Sequence, residues 1–184
     1  IYNLNCIILK PFHHSRKGEC KVIKNEIKKY FKKILFVERG TIEGGDVLNI
    51  NNHFIIGLSN RTDKIGAQSL SILLKSLGAS VKICQTPKNI LHFKSECSLI
   101  DENTILVSER MAKLDYLKSN FNLIKLPKGD EVAANSLRIN NQMLIPDGFA
   151  KTEEILSKKY NIIKIKVNEI SKIDAGLSCM SLRW

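Results

Sequence analysis

The sequence predicts an α/β propeller, a ring of short sheets with helices on its outer side. One local order recurs along the chain: two apolar strands, an amphipathic helix and a closing strand, which together form a ββαβ module. The first strands of successive copies begin near residues 46, 91, 132 and 177, a period of about 41 to 45 residues. Units of this length cannot bury their apolar faces alone and must stack around a common axis. The helix in each copy distinguishes the pattern from that of four-stranded propeller blades.

The clearest copy begins at Gly45-Asp46. Thr62 or Asp63 is the predicted N-cap of its helix, and Gly78 is the predicted end. Its other predicted elements are the strands 47–49 and 53–58 and the closing strand 80–84.

Two further copies are whole, and two are partial. The next whole copy is predicted to contain strands 91–99 and 104–107, a helix over 109–117 and a strand over 121–126. The last whole copy is predicted to contain strands 132–139 and 142–145, a helix over 152–159 and a strand over 162–167. The partial copies are strand 4–9, helix 17–31 and strand 34–37 at the start, and a lone strand 177–182 at the end.

We expect one domain over residues 1–184, since this length supports one core and hardly two. A closed ring needs more than these copies, and Ile1 begins in mid-strand without an initiator Met. We therefore expect the chain to be incomplete at its N-terminus, with the first module largely missing.

Composition argues against several function classes. The formal net charge is +11, but the lysines follow helix faces without interleaved aromatic residues, so we expect no nucleic-acid partner. No apolar run approaches the ~18 residues of a membrane span. The five cysteines have irregular spacing and form no CxxC pair, which favours free thiols in a reducing cytoplasm. No pair of Cys or His residues has the spacing of zinc ligands, so we predict no metal site.

Three segments that contain candidate catalytic residues occupy the same phase of the repeat. Cys179 lies among small residues, His92 near the start of a predicted strand, and the carboxylates of Glu43 and Asp46 on either side of Gly-Gly. Taken singly, each has an ordinary explanation, respectively a buried thiol, a strand histidine and a turn. Equivalent strand ends of a propeller converge on its axis, however, and a Cys, a His and a carboxylate are the parts of an activated thiol nucleophile.

Four segments in register resemble the dimethylarginine dimethylaminohydrolases, members of the guanidino-group-modifying superfamily of five-bladed α/β propellers, the pentein fold. The segments are residues 42–48 (IEGGDVL), 57–62 (GLSNRT), 91–95 (LHFKS) and 176–182 (GLSCMSL). The resemblance covers essentially the whole chain. It implies a five-fold pseudosymmetric propeller of ββαβ modules.

The resemblance also implies residue roles. Cys179 corresponds to the nucleophile, His92 to the general acid/base and Glu43 to the acid that orients His92. The predicted substrate-binding residues are Arg61 for the α-carboxylate, Arg16 at the pocket entrance, Ile173 through its backbone carbonyl, and Asp46.

The reaction that this implies is hydrolysis of dimethylarginine to citrulline and dimethylamine through a covalent thiouronium, with no metal and no organic cofactor. The predicted partner is therefore a small-molecule substrate, and a homodimer stays open as the assembly. An arginine deiminase is the main competing hypothesis, because residues 179–181 (CMS) suit that family too. The sequence also leaves open an amidinotransferase, an inactive fragment, and a non-enzymatic propeller of the ribosome anti-association type.

Overall fold

The computed structural model describes residues 1–181 of the chain, which divide into two compact units, Ile1–Phe93 and Lys94–Ser181. The prediction of one domain over the chain stays a prediction. Within residues 1–181, no helix has the length and apolar character needed to cross a membrane.

The first unit contains one partial and one whole module. The elements are β1 (Asn5–Ile8), α1 (Glu19–Ile27), β2 (Lys33–Phe36), β3 (Val47–Ile50), β4 (His53–Leu58), α2 (Lys64–Ser76) and β5 (Ser80–Gln85). Strands β1 and β2 pair in parallel, and in the whole module β4 pairs antiparallel with β3 and parallel with β5.

The second unit contains two whole modules with the same pairing, in which the middle strand is antiparallel to the first strand and parallel to the last. The elements are β6 (Cys97–Asp101), β7 (Thr104–Val107), α3 (Asp115–Asn120), β8 (Asn122–Lys125), β9 (Leu137–Ile139), β10 (Gln142–Pro146), α4 (Ala150–Ser157) and β11 (Asn161–Ile165). A short helix, α5 (Asn168–Ser171), follows without having been predicted. The predicted ββαβ order is therefore confirmed in three successive copies.

Helix α2 illustrates how each helix packs on its own sheet. Its apolar face buries Leu70 and Leu74, each 2% exposed, in the core that also holds Phe54 and Ile56 of β4. The predicted cap is confirmed as Asp63, whose side chain accepts a hydrogen bond of 2.7 Å from the backbone N–H of Gly66.

Three predicted strands begin too early, because each opens with a 3-10 turn. The turns are Phe93–Ser95, Glu131–Ala134 and Leu177–Met180, and a fourth, Gly44–Asp46, precedes β3. Buried apolar residues such as Phe93 and Ala133 continue through these turns, so hydrophobic periodicity does not mark where the strand begins. The predicted lone strand 177–182 is thus a turn over 177–180, and its residue 182 lies outside the described residues.

Two predicted helices also differ from the structure. Helix α1 is shorter than the predicted 17–31, and the predicted helix 109–117 is a 3-10 turn, Met111–Lys113, followed by α3. Between these two segments Leu114 has an extended backbone and provides no side-chain cap, so one continuous helix does not form.

Candidate functional site

The ring of His92 packs against the Gly-Gly turn that precedes β3. A Cβ atom on Gly45 would lie 2.6 Å from Cγ of His92, so only glycine allows the ring to lie against the backbone here. The carboxylates of Glu43 and Asp46, at the two ends of the same turn, are 5% and 0% exposed. The local sequence therefore determines both the position of the ring and the charges around it.

His92 lies between these two carboxylates. Its Nδ1 is 3.1 Å from Oδ2 of Asp46, and its Nε2 is 3.4 Å from Oε2 of Glu43. The side chain remains 17% exposed. The predicted proximity of Glu43 and His92 is present, but Asp46 makes the shorter contact, and the sequence did not indicate that pairing.

Asp46 is satisfied entirely by the protein. Its Oδ2 accepts hydrogen bonds from Ser59 Oγ at 2.8 Å and Thr62 Oγ1 at 2.6 Å, and contacts His92 Nδ1. Its Oδ1 accepts a bond of 2.8 Å from the backbone N–H of Phe93. The predicted contact between Asp46 and substrate stays a prediction, since here the carboxylate is covered and has four protein partners.

Glu43 is held by a different set of groups. Its Oε1 accepts a hydrogen bond of 3.2 Å from the backbone N–H of Phe12, and its backbone N–H donates to Thr62 Oγ1 at 3.2 Å. Arg16 Nη1 donates to Oε2 at 3.0 Å, so a guanidinium group occupies this carboxylate. Glu43 is therefore a nearly buried carboxylate that accepts a hydrogen bond from one guanidinium group.

The two predicted substrate-binding arginines differ in the side chains that they contact. Arg16 is 46% exposed and binds Glu19 as well as Glu43, and its hydrogen bonds to Glu19 raise its pKa above the ordinary value. Arg61 follows β4 and lies with its Cζ 6.0 Å from the centroid of the Phe12 ring. Among the residues that the structure describes, Arg61 has no carboxylate partner, which leaves its guanidinium available to an anion.

Cys179 lies in the second unit, in the 3-10 turn Leu177–Met180. Its backbone N–H donates to the carbonyl of Gly176 at 3.0 Å, and Ser178 N donates to Asn135 Oδ1 at 2.9 Å. A Cβ on Gly176 would lie 2.5 Å from Cγ of Asn135, so this glycine lets the Asn135 side chain lie against the turn. Asn135, which sequence reasoning missed, thus fixes the backbone around the thiol.

Cys179 differs from the other four cysteines, all of which lie in the described residues. Cys6 and Cys97 are buried, Cys20 and Cys84 are half-buried, and Cys179 is exposed. Burial raises the pKa of Cys84 to about 11 and also raises that of Cys6. Exposure alone therefore favours Cys179 as the thiol that meets small molecules.

Ile173 lies just beyond α5, and its side chain is 76% exposed. Its backbone N–H donates to Ile170 O at 3.2 Å, and Asp174 after it has a positive φ of 57°. The predicted role of the Ile173 carbonyl stays a prediction. Within residues 1–181, no group of three or more Cys, His, Asp or Glu side chains is placed to hold a metal ion.

Comparison with known proteins identifies the family. The sequence model described as arginine deiminase matches residues 25–144. The chain is 33% identical to the N(G),N(G)-dimethylarginine dimethylaminohydrolase of Pseudomonas aeruginosa over 97% of its own length and 70% of that protein. For the Streptomyces coelicolor enzyme of the same name, identity is 27%, over 96% of this chain and 68% of that protein.

A solved structure of the Pseudomonas aeruginosa enzyme, a mutant complexed with citrulline, superposes with a TM-score of 0.92 at 32% identity. The match covers 97% of this chain and 71% of the solved one. This likeness confirms the predicted α/β pentein fold. Taken with the identities above, it shows that the chain belongs to the dimethylarginine dimethylaminohydrolase family.

Proposed function

We propose that the protein hydrolyses N(ω),N(ω)-dimethylarginine to citrulline and dimethylamine, with Cys179 as nucleophile and His92 as general acid and base. The observation that carries this proposal is the His92 ring held between Glu43 and Asp46 in a chain of this family. A histidine with a carboxylate at each ring nitrogen is arranged to carry positive charge while it exchanges a proton.

The first half of the reaction forms a covalent intermediate. The Cys179 thiolate adds to the guanidinium carbon, so that a C–S bond forms and the positive charge of the guanidinium is neutralised. The protonated imidazole of His92 gives its proton to the dimethylated nitrogen, the C–N bond breaks, and dimethylamine leaves. A thiouronium cation remains on Cys179.

The second half returns the thiol to its starting state. The neutral imidazole of His92 takes a proton from water, and the oxygen attacks the thiouronium carbon. The C–S bond then breaks, the thiolate is released, and loss of the remaining hydroxyl proton to solvent gives the neutral ureido group of citrulline. Free dimethylamine takes up a proton from solvent, so atoms and charge balance without metal or organic cofactor.

Substrate recognition is assigned to groups already described. Arg61 is proposed to bind the substrate's α-carboxylate, because its guanidinium has no carboxylate partner within the described residues. Arg16 is proposed to lie at the entrance, and the carbonyl of Ile173 to accept from the substrate's α-amino group. Glu43 accepts a hydrogen bond from the guanidinium group of Arg16, and the substrate carries a group of the same kind.

Arginine deimination is the second candidate, because the family model that matches residues 25–144 is described as arginine deiminase. The same thiol and imidazole would release ammonia in place of dimethylamine. The choice depends on how the pocket accommodates two methyl groups on the leaving nitrogen.

Citrulline formation from dimethylarginine and, separately, from arginine tests the proposal, with Cys179→Ser as the matched control. We expect turnover of dimethylarginine to exceed that of arginine and to disappear in the variant. A higher rate with arginine would replace the proposal by deimination. Folded protein that forms no citrulline from either substrate would overturn both.

Two further proposals concern the assembly and the location of the protein. A homodimer is the proposed assembly, to be checked by the mass of the protein in solution. The cytoplasm is the proposed location, supported by five free thiols.

A further inference from the structure

We infer that the ring of Phe12 positions the guanidinium group of Arg61 and thereby sets the affinity of the protein for the α-carboxylate of its substrate. This inference rests on the proposed function, because that function assigns the α-carboxylate to Arg61. Phe12 takes no part in the chemistry, so it is a positioning residue whose replacement affects substrate binding alone.

The main chain of Phe12 is held by the segment that precedes β3. Its backbone N–H donates to Oε1 of Glu43 at 3.2 Å. Two residues earlier, the carbonyl of Lys10 accepts a hydrogen bond of 2.8 Å from the backbone N–H of Ile42. Both Ile42 and Glu43 are buried. Buried residues therefore fix where Phe12 stands, although Phe12 itself is 50% exposed.

The ring of Phe12 has two neighbouring side chains, an imidazole and a guanidinium group. Its centroid is 5.4 Å from that of the His13 ring, and the two ring planes are nearly perpendicular, at 85°. The Cζ atom of Arg61 lies over the ring, 6.0 Å from its centroid. Perpendicular aromatic pairs and cations over a ring are both favourable arrangements. The ring is therefore held by His13 on the one hand and holds Arg61 on the other.

Arg61 needs such a neighbour because only its main chain is fixed by hydrogen bonds. Its backbone N–H donates to Ser59 Oγ at 3.0 Å, and within residues 1–181 no carboxylate pairs with its guanidinium group. A long arginine side chain loses conformational entropy when a ligand orders it. A ring that restrains the side chain beforehand reduces this loss, so the α-carboxylate binds more tightly.

The contact with the ring leaves Arg61 free to bind an anion. A cation–π contact depends on the charge of the guanidinium group and requires none of its five N–H donors. A carboxylate binds these donors, two at a time when the geometry allows. Ring and carboxylate therefore use different parts of Arg61 and can be bound together.

The test removes the ring and keeps the main-chain anchor. Phe12→Leu retains an apolar side chain and the backbone N–H that donates to Glu43. We expect KM for dimethylarginine to rise about 3- to 10-fold, as for the loss of one partly covered cation–π contact, while kcat stays within about twofold of the original. Phe12→Tyr keeps an aromatic ring and should have a KM within about twofold of the original.

Phe36→Leu is the matched control, because it removes a cation–π contact of the same kind from the same unit. Phe36 is 37% exposed, and Nζ of Lys24 lies 4.9 Å from the centroid of its ring. Lys24 has no assigned part in substrate binding, so KM and kcat should stay within about twofold of the original. An equal rise in KM in Phe36→Leu and Phe12→Leu would refute the inference.

A double-mutant cycle separates an effect through Arg61 from a direct contact between the ring and the substrate. In an Arg61→Ala background, Phe12→Leu should raise KM no further, because the side chain that the ring positions is gone. The same rise of about 3- to 10-fold in that background would show that Phe12 acts independently of Arg61 and would overturn the inference.

Binding measurements distinguish failure of this inference from failure of the proposed function. Calorimetric titration with dimethylarginine uses Cys179→Ser, which lacks the proposed nucleophile, with and without Phe12→Leu. We expect the dissociation constant to be about 3- to 10-fold higher with Phe12→Leu. This difference would support the inference even if the unaltered protein formed no citrulline. Equal dissociation constants for the two folded proteins would overturn the inference even if the unaltered protein were an active enzyme.

Discussion

The module that contains β3–β5 and the module that contains β6–β8 share a hydrogen-bonded pair of an acid and a serine, but the two acids have different further partners. In each, an acid stands just before the first strand and a serine just after the second: Asp46 with Ser59, and Glu96 with Ser108. The serine hydroxyl donates to the acid at 2.8 Å in the first pair and 2.6 Å in the second. In both, the backbone N–H three residues after the serine donates back to its oxygen at 3.2 Å.

The two modules diverge in what else the acid binds. An arginine follows each serine by two positions, as Arg61 and Arg110. Glu96 forms an ion pair with Arg110, whereas Asp46 binds His92 instead. The shorter acid leaves its arginine without a carboxylate partner in the described residues. The same arrangement of acid and serine therefore accompanies an ion pair in one module and a carboxylate–imidazole contact in the other.

The largest expected effect is on substrate binding, when the arginine of each module is replaced in turn. We expect Arg61→Ala to raise KM for dimethylarginine about 10²- to 10³-fold, since a charge-assisted pair of hydrogen bonds to the α-carboxylate is lost. Arg110→Ala should leave KM within about twofold of the original. Steady-state kinetics on both proteins decide the matter, and an equal rise in KM would contradict the distinction between the modules.

A smaller effect is expected on stability when the acid of the second module is shortened. Glu96→Asp should lower the free energy of unfolding by about 1–2 kcal/mol, because the carboxylate no longer reaches Arg110, a half-exposed partner. Urea unfolding measures the loss, and kcat should be unchanged. In a double-mutant cycle with Arg110→Ala the two losses should be clearly less than additive; full additivity would show that the ion pair contributes nothing.

The smallest expected effect concerns the helices of the two modules. Asp63 caps α2, whereas Leu114 provides no side-chain cap for α3. Burial acts to raise the pKa of Asp63, but hydrogen bonds from Gly66 and Thr41 outweigh it and lower the pKa below its ordinary value. Asp63→Ala should therefore cost about 1 kcal/mol at neutral pH.

The pH dependence of that cost has a definite sign. A carboxylate whose pKa is lower in the folded state stabilises the protein above its unfolded pKa, and this stability is lost as the pH falls through the folded pKa. The difference in unfolding free energy between the original protein and Asp63→Ala should thus shrink below about pH 4. A difference independent of pH between about 7 and 3 would exclude the charged cap.

The order of strands and helix in each module was predictable from the sequence, because it depends on local patterns of residue type. The Asp63 cap and the β3–β4 hairpin over Asn51, whose φ is +56°, follow from residue type and periodicity. The 3-10 turns were not predictable, since buried residues such as Phe93 continue the strand pattern through them. The partners of Asp46 were missed for a different reason. His92 lies 46 residues away in sequence, and side-chain pairing over such a separation leaves no local signal.

The proposed covalent intermediate offers the most direct test of the central claim, that Cys179 attacks the guanidinium carbon. Protein mixed with dimethylarginine is quenched in acid during turnover, digested and analysed by mass spectrometry. The account predicts an added mass on the Cys179 peptide equal to the substrate less dimethylamine, and its absence in Cys179→Ser. Citrulline formation at the original rate by Cys179→Ser, with no adduct on the Cys179 peptide of the unaltered protein, would contradict it.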